Sequence, residues 1–83
     1  MNVYDQTINV LSELHIDTLG ATSKTRLKED LEMDSTELIE MAIALEKHFA
    51  ISIDDTALLR LATLGDIIQY IESSLESTTV RER

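Results

Sequence analysis

The chain is 83 residues long, with 16 acidic side chains against 7 Lys and Arg, no Cys, no Pro, two Gly and 43% apolar residues; this fits one small domain whose single core buries roughly 60 to 65% of the unfolded surface, too little for a deep enclosed active site. Without cysteine there is no disulfide frame, CxxC redox pair or thiolate zinc site, and the two histidines cannot complete a zinc tetrahedron. A formal charge of −9 repels nucleic-acid phosphates and favours basic protein surfaces as partners.

Val3, Tyr4, Thr7, Ile8, Leu11 and Leu14 fall within one arc of a helix from about Asn2 to Leu14, a stripe that packs against other elements. The opening residues hold Asp5, Glu13 and Asp17 and no apolar run, so no secretory signal is expected, and nowhere do about eighteen apolar residues run together as a membrane span requires. A cytoplasmic, monomeric protein with no membrane association is expected. His15 to Met33, with Gly20, a Thr/Ser cluster and isolated Leu19, Leu27 and Leu31, reads as a long surface loop pinned to the core by those leucines.

Leu38, Met41, Ala42, Leu45 and Phe49 then follow helical spacing, and Asp34-Ser35-Thr36-Glu37 has the cap-to-acid spacing of a capping box. Asp54-Asp55 followed by Thr56 to Leu61 reads as a short capped helix, too brief to be stable without tertiary contacts. Leu64, Ile67, Ile68, Ile71 and Leu75 mark the last helix, with Thr63 and Asp66 as a weaker capping pair. Three long helices, one short one and no strand pattern predict an all-α protein, a small four-helix bundle. The polar segment 77–83 is expected to be a disordered tail.

An enzyme is hard to build from these residues. Ser35 and His48 lie thirteen positions apart on one predicted helix, about 20 Å along its axis, so His48 cannot serve Ser35 as a base. Asp30, Glu32 and Asp34 alternate as in a calcium loop, but the sixth place holds Ser35 where glycine is needed and the twelfth holds Met41 where glutamate is needed. No catalytic residue and no metal site is expected. What stands out is the second long helix. From Glu29 to Glu46 there are seven acids and no Lys or Arg, and Ile39 and Ile43 lie at about 100° and 140° from Leu38, off the core stripe and next to Glu40 and Thr36. The acids alone would fit a solvated helix face, and the isoleucines could be buried where a small bundle surrounds the helix; exposed isoleucines bordered by acids would instead be a docking surface for a partner with a basic rim.

Leu27-Lys28-Glu29-Asp30-Leu31-Glu32-Met33-Asp34-Ser35-Thr36-Glu37-Leu38 resembles the modification site of acyl carrier proteins. Ala44 to Phe49, Ile51-Ser52-Ile53 and Ala62 to Ile71 are similar to that family's second helix end, following loop and last helix, without a gap. The resemblance implies a carrier domain over 1–76 in which Ser35 receives a covalent 4′-phosphopantetheine arm from coenzyme A through a phosphopantetheinyl transferase. The arm's thiol then holds acyl groups as thioesters. Asp34 would contribute to recognition by the transferase. Thr36, Glu37, Ile39, Glu40, Ile43 and Glu46 match positions that meet acyl-loading, condensing or acyl-transferring enzymes through basic docking surfaces. Such a protein is a carrier and not an enzyme. Four positions depart from the family pattern: Glu32 where glycine is common, Thr36 where leucine is usual, Lys47 where an acid is frequent, and Asp54, after Ile53, where the common pattern has proline. They point to a dedicated carrier of a polyketide, nonribosomal peptide or specialised lipid pathway. The alternatives are the housekeeping carrier of fatty-acid synthesis or an unmodified acidic helical adaptor.

Overall fold

A computed structural model describes residues 2–81, with side chains as far as Glu76. It contains four helices: α1 (Val3–Glu13), α2 (Ser35–Phe49), α3 (Asp55–Arg60) and α4 (Leu64–Arg81). The bundle expected from the periodicities is therefore present, and no strand occurs among the described residues. The expected domain end at Glu76 and polar tail fall where only the helix bounds are described, and 82–83 lie outside the described residues.

Each helix starts where a side chain can satisfy the first free N–H groups. Asn2 accepts from Asp5 N–H at 2.7 Å at the start of α1, and Asp54 from Ala57 N–H at 2.8 Å at the start of α3. The Thr63 pair, the weaker of the two expected capping boxes, is reciprocal: Thr63 Oγ1 accepts from Asp66 N–H and Asp66 accepts from Thr63 N–H, both at 3.1 Å.

The buried faces meet in one core. α1 packs against α2 and α4, bringing Leu11, Met41, Leu45, Leu64, Ile67 and Ile71 together with almost no exposure. Val10, at the edge of the arc read from the sequence, is also buried. Phe49, Leu75 and Leu14 are only half-buried against this core, and Ile68 is half-buried at the stripe's margin. α3 has no fully buried residue. It holds on through Leu58 and Leu61, as a six-residue helix with so little intrinsic stability must.

The long first loop corrects one expectation. Leu27 is buried and Leu31 half-buried, but Leu19 is 94% exposed and pins nothing. Asp17 accepts the Leu19 N–H at 3.0 Å and Gly20 adopts φ 77°, a turn that carries Leu19 outward. Ile16 and Met33 are buried in its place. The rest of the anchorage is backbone. Leu27 N–H donates to Ala62 C=O at 2.9 Å, Leu64 N–H to Thr25 C=O at 3.0 Å and Gly65 N–H to Ser23 C=O at 2.8 Å, with an antiparallel bridge between Arg26 and Thr63. A Cβ on Gly65 would come within 2.9 Å of the Ser23 carbonyl oxygen, so this close approach requires glycine.

Toward α2 the loop folds into a turn. Asp30 accepts from the Arg26 side chain and from its N–H at 2.8 Å, and the Arg26 hydrogen bond holds the Asp30 carboxyl below its ordinary pKa. Glu32 then takes φ 57°, a left-handed conformation that costs a non-glycine residue about 1 to 2 kcal/mol. The backbone thus explains why glycine suits this position, and Glu32 is exposed with no compensating packing. Glu32→Gly is expected to raise stability by about 0.5 to 1 kcal/mol after allowing for glycine's larger unfolded-state entropy, read as a melting temperature roughly 2 to 8 °C higher. A fall in melting temperature would show that the Glu32 side chain contributes a contact of its own.

Candidate functional site

The site is assembled around the start of α2. Met33 is buried and Met33 N–H donates to Leu27 C=O at 3.1 Å, fixing the chain just before the helix. Asp34 is the N-cap. Its carboxylate accepts from Glu37 N–H at 2.9 Å, and Glu37 returns its own carboxylate to Asp34 N–H at 3.1 Å. This complete capping box satisfies two of the free donors at the helix start, while the N–H groups of Ser35 and Thr36 have no intrahelical acceptor. Ser35 is the first helical residue and its side chain is exposed.

Beside Ser35 lies a groove of about 270 Å³ between α2 and α3, lined by Lys28, Ser35, Leu38, Ile39, Asp55, Leu58, Leu59 and Leu61. Its wall is mainly apolar, four leucines and Ile39, with Lys28 and Asp55 as its charged residues. A larger hollow of about 420 Å³ between α1 and the loop at Thr18 to Ala21 shares no residue with it. His48 is remote from this chemistry, its Nε2 lying 2.8 Å from Gln6 Oε1 of α1. No group of three or more His, Cys, Asp or Glu able to hold a metal ion occurs among the described residues.

The residues read as partner-facing divide into two groups. Thr36, Ile39, Glu40 and Ile43 are exposed on one side of α2, with Ile39 52% and Ile43 47% accessible, so the bundle does not bury these isoleucines. Glu37 and Glu46 are half-buried and already employed. Glu37 closes the capping box, and Glu46 accepts the Ile53 N–H at 2.7 Å, which ties α2 to the loop leading into α3. Any contact of those two with a partner uses what remains of a carboxylate engaged inside the fold.

Leu59 was not legible as a site residue. It is 86% exposed and lines the groove beside Ser35 together with Ile39. The signal was available in part: Leu58 and Leu59 are adjacent on a short helix, and side chains about 100° apart cannot both point squarely into one core. Lys28 and Asp55 carried no comparable signal, because only the docking of α3 against α2 brings them to the groove.

A family described as phosphopantetheine attachment site matches residues 9–71. The chain belongs to that family, among the acyl carrier proteins. An acyl carrier protein of Phytoplasma australiense is 41% identical over 66 residues, covering 80% of this chain and 87% of the relative. One from Thermotoga maritima is 32% identical over 74 residues, 88% of this chain and 91% of the relative, and one from Exiguobacterium sp. is 41% identical over 66 residues, 80% and 84% respectively.

An acyl carrier of this family bears 4′-phosphopantetheine covalently and is a carrier, not an enzyme. Its partners in general are a phosphopantetheinyl transferase and acyl-handling enzymes. This chain's residues fit that cofactor: an exposed serine opens the second helix, first-turn N–H groups without intrahelical acceptors lie beside it, and an apolar groove adjoins it. No helix of the described residues is long and apolar enough to cross a membrane.

Proposed function

We propose that Ser35 is the residue that carries the arm and that the chain is the dedicated carrier of a specialised pathway assembling a polyketide, a nonribosomal peptide or a modified lipid in the cytoplasm. The observation that carries the site assignment is the exposed Ser35 hydroxyl at the first position of α2, opening onto the groove lined by Leu38, Leu58, Leu59 and Leu61. A phosphodiester on Ser35 lies at the positive end of the helix dipole. Asp34 opposes that negative charge, so the aspartate's part is its hydrogen bond to Glu37 N–H, which fixes the turn a transferase reads. The groove shelters apolar cargo.

Thr36, Ile39, Glu40 and Ile43 then form the exposed contact strip for partner enzymes, with Glu37 and Glu46 at its edges. Two observations support a dedicated pathway. Glu32 sits three residues before Ser35 in a strained conformation, and Thr36 presents a hydroxyl beside Ser35 on the surface that partners meet. Both alter what a housekeeping enzyme encounters there. The pathway reading is tested by offering the loaded protein to the malonyl-transferring and condensing enzymes of primary fatty-acid synthesis. Their kcat/KM is expected to be at least about tenfold lower than with the housekeeping carrier of the same cell, a penalty of about 1.4 kcal/mol. Equal turnover would assign the chain to primary synthesis.

A further inference from the structure

Charge along the outer side of α2 changes sign. From Glu29 to Glu46 every ionised side chain is an acid, and the run ends at Lys47. Taking Ile39 as the origin and about 100° per residue, Ile43, Thr36, Lys47 and Glu40 lie at roughly 40°, 60°, 80° and 100°. Lys47 therefore belongs to the same strip as the two exposed isoleucines, one turn beyond Ile43. It is itself exposed, and the one ion pair found among the described residues is between Arg26 and Asp30. His48, the other base in the last turn, lies on the opposite side of the helix against Gln6. Along this strip a partner thus meets Glu40, then an apolar ridge, then a cation about 10 Å further along the axis.

A partner surface that is basic throughout is attracted at the Glu40 end and repelled at the Lys47 end. The complementary surface has both signs. We infer that the enzyme this carrier serves presents basic side chains toward Glu40 and a carboxylate toward Lys47, so that Lys47 selects against partners whose docking surface is uniformly basic. This inference rests on α2 being the docking face.

The test uses the apo full-length protein and a broad-specificity phosphopantetheinyl transferase whose carrier-binding surface is basic throughout. With Lys47→Glu, KM is expected to fall about three- to tenfold, the range of one reversed surface charge contact, with kcat unchanged and a melting temperature close to the parent's. In the same transferase, each basic residue of the docking surface is reversed to Glu in turn. One of these reversals is expected to lower KM for the parent and to raise it for Lys47→Glu. An unchanged KM for Lys47→Glu, with no enzyme variant that separates the two proteins, overturns the inference. So does a change confined to the melting temperature, which would leave Lys47 only its favourable contact with the helix C-terminus. Glu40→Lys in the same assay separates the two failures. If Glu40→Lys raises KM while Lys47→Glu does nothing, the docking face stands and the two-signed reading fails; if neither changes KM, the docking face itself is wrong.

Discussion

Ser35→Ala is expected to abolish uptake of the phosphopantetheine arm while leaving the fold intact. The Ser35 hydroxyl is exposed, and the capping of α2 is performed by Asp34 and Glu37, not by Ser35. Alanine is also the best helix former, so the change should shift stability by no more than about 0.5 kcal/mol in either direction. Intact-protein mass after incubation with coenzyme A and a transferase, measured beside a thermal melt, separates the two effects. Uptake lost with the melt unchanged assigns the hydroxyl as acceptor. Uptake retained would move the attachment to another side chain. An unmodified adaptor, by contrast, would bind its partner equally well with serine or alanine here. Asp34→Ala is a poorer probe, because it removes the cap and about 1 kcal/mol of helix stability together with any recognition contact.

Ile43→Asp is expected to raise a partner enzyme's KM about ten- to thirtyfold, equivalent to about 1.4 to 2 kcal/mol, as loss of a central apolar contact does. Ile43 is 47% exposed on the side of α2 away from Leu38, Met41 and Leu45. Its truncation therefore sacrifices little core packing. The melting temperature should fall by only a few degrees, corresponding to less than about 1 kcal/mol. Steady-state kinetics with the transferase, repeated across salt concentrations, checks this. The apolar loss should persist at high salt, whereas the attraction through Glu40 is screened. A large drop in melting temperature accompanied by an equal loss of turnover would make Ile43 a structural residue and end its role in docking.

Both expectations come from features that local chemistry made readable. The capping box needs only Asp34 and Glu37 three residues apart, and the exposed strip proposed for docking follows from Ile39 and Ile43 falling off the stripe set by Leu38, Met41 and Leu45. Helix periodicity likewise locates the three long helices, because the fold depends on amphipathic faces meeting in one core, whereas the short α3 is legible from its capping acids Asp54 and Asp55.

What stayed hidden depends on contacts between segments distant in sequence. The loop before α2 is held by backbone bonds from Ser23, Thr25 and Leu27 to residues 62–65, and main-chain groups leave no mark on residue type. Leu19 reads as an anchor because it is apolar, yet the Asp17 turn carries it into solvent. Glu32 and Ala50 both adopt left-handed backbone at φ 57°, conformations that their side chains do not advertise and that the surrounding structure imposes. Leu59, Lys28 and Asp55 became part of the groove only once α3 was seen against α2. Glu46 is the instructive intermediate case. Its position matches a partner-facing residue, but its carboxylate holds Ile53 N–H at 2.7 Å, so the residue also ties the α2 end to the α3 approach.

Everything the carrier does depends on the arm being attached to Ser35. Incubating the full-length protein with coenzyme A and a broad-specificity phosphopantetheinyl transferase, then digesting it and mapping the modified peptide by mass spectrometry, tests this directly. One arm per chain is expected, on the peptide containing Asp34-Ser35-Thr36 and at the serine. An arm on any other residue, or none on a folded protein that was unmodified at the start, contradicts the account.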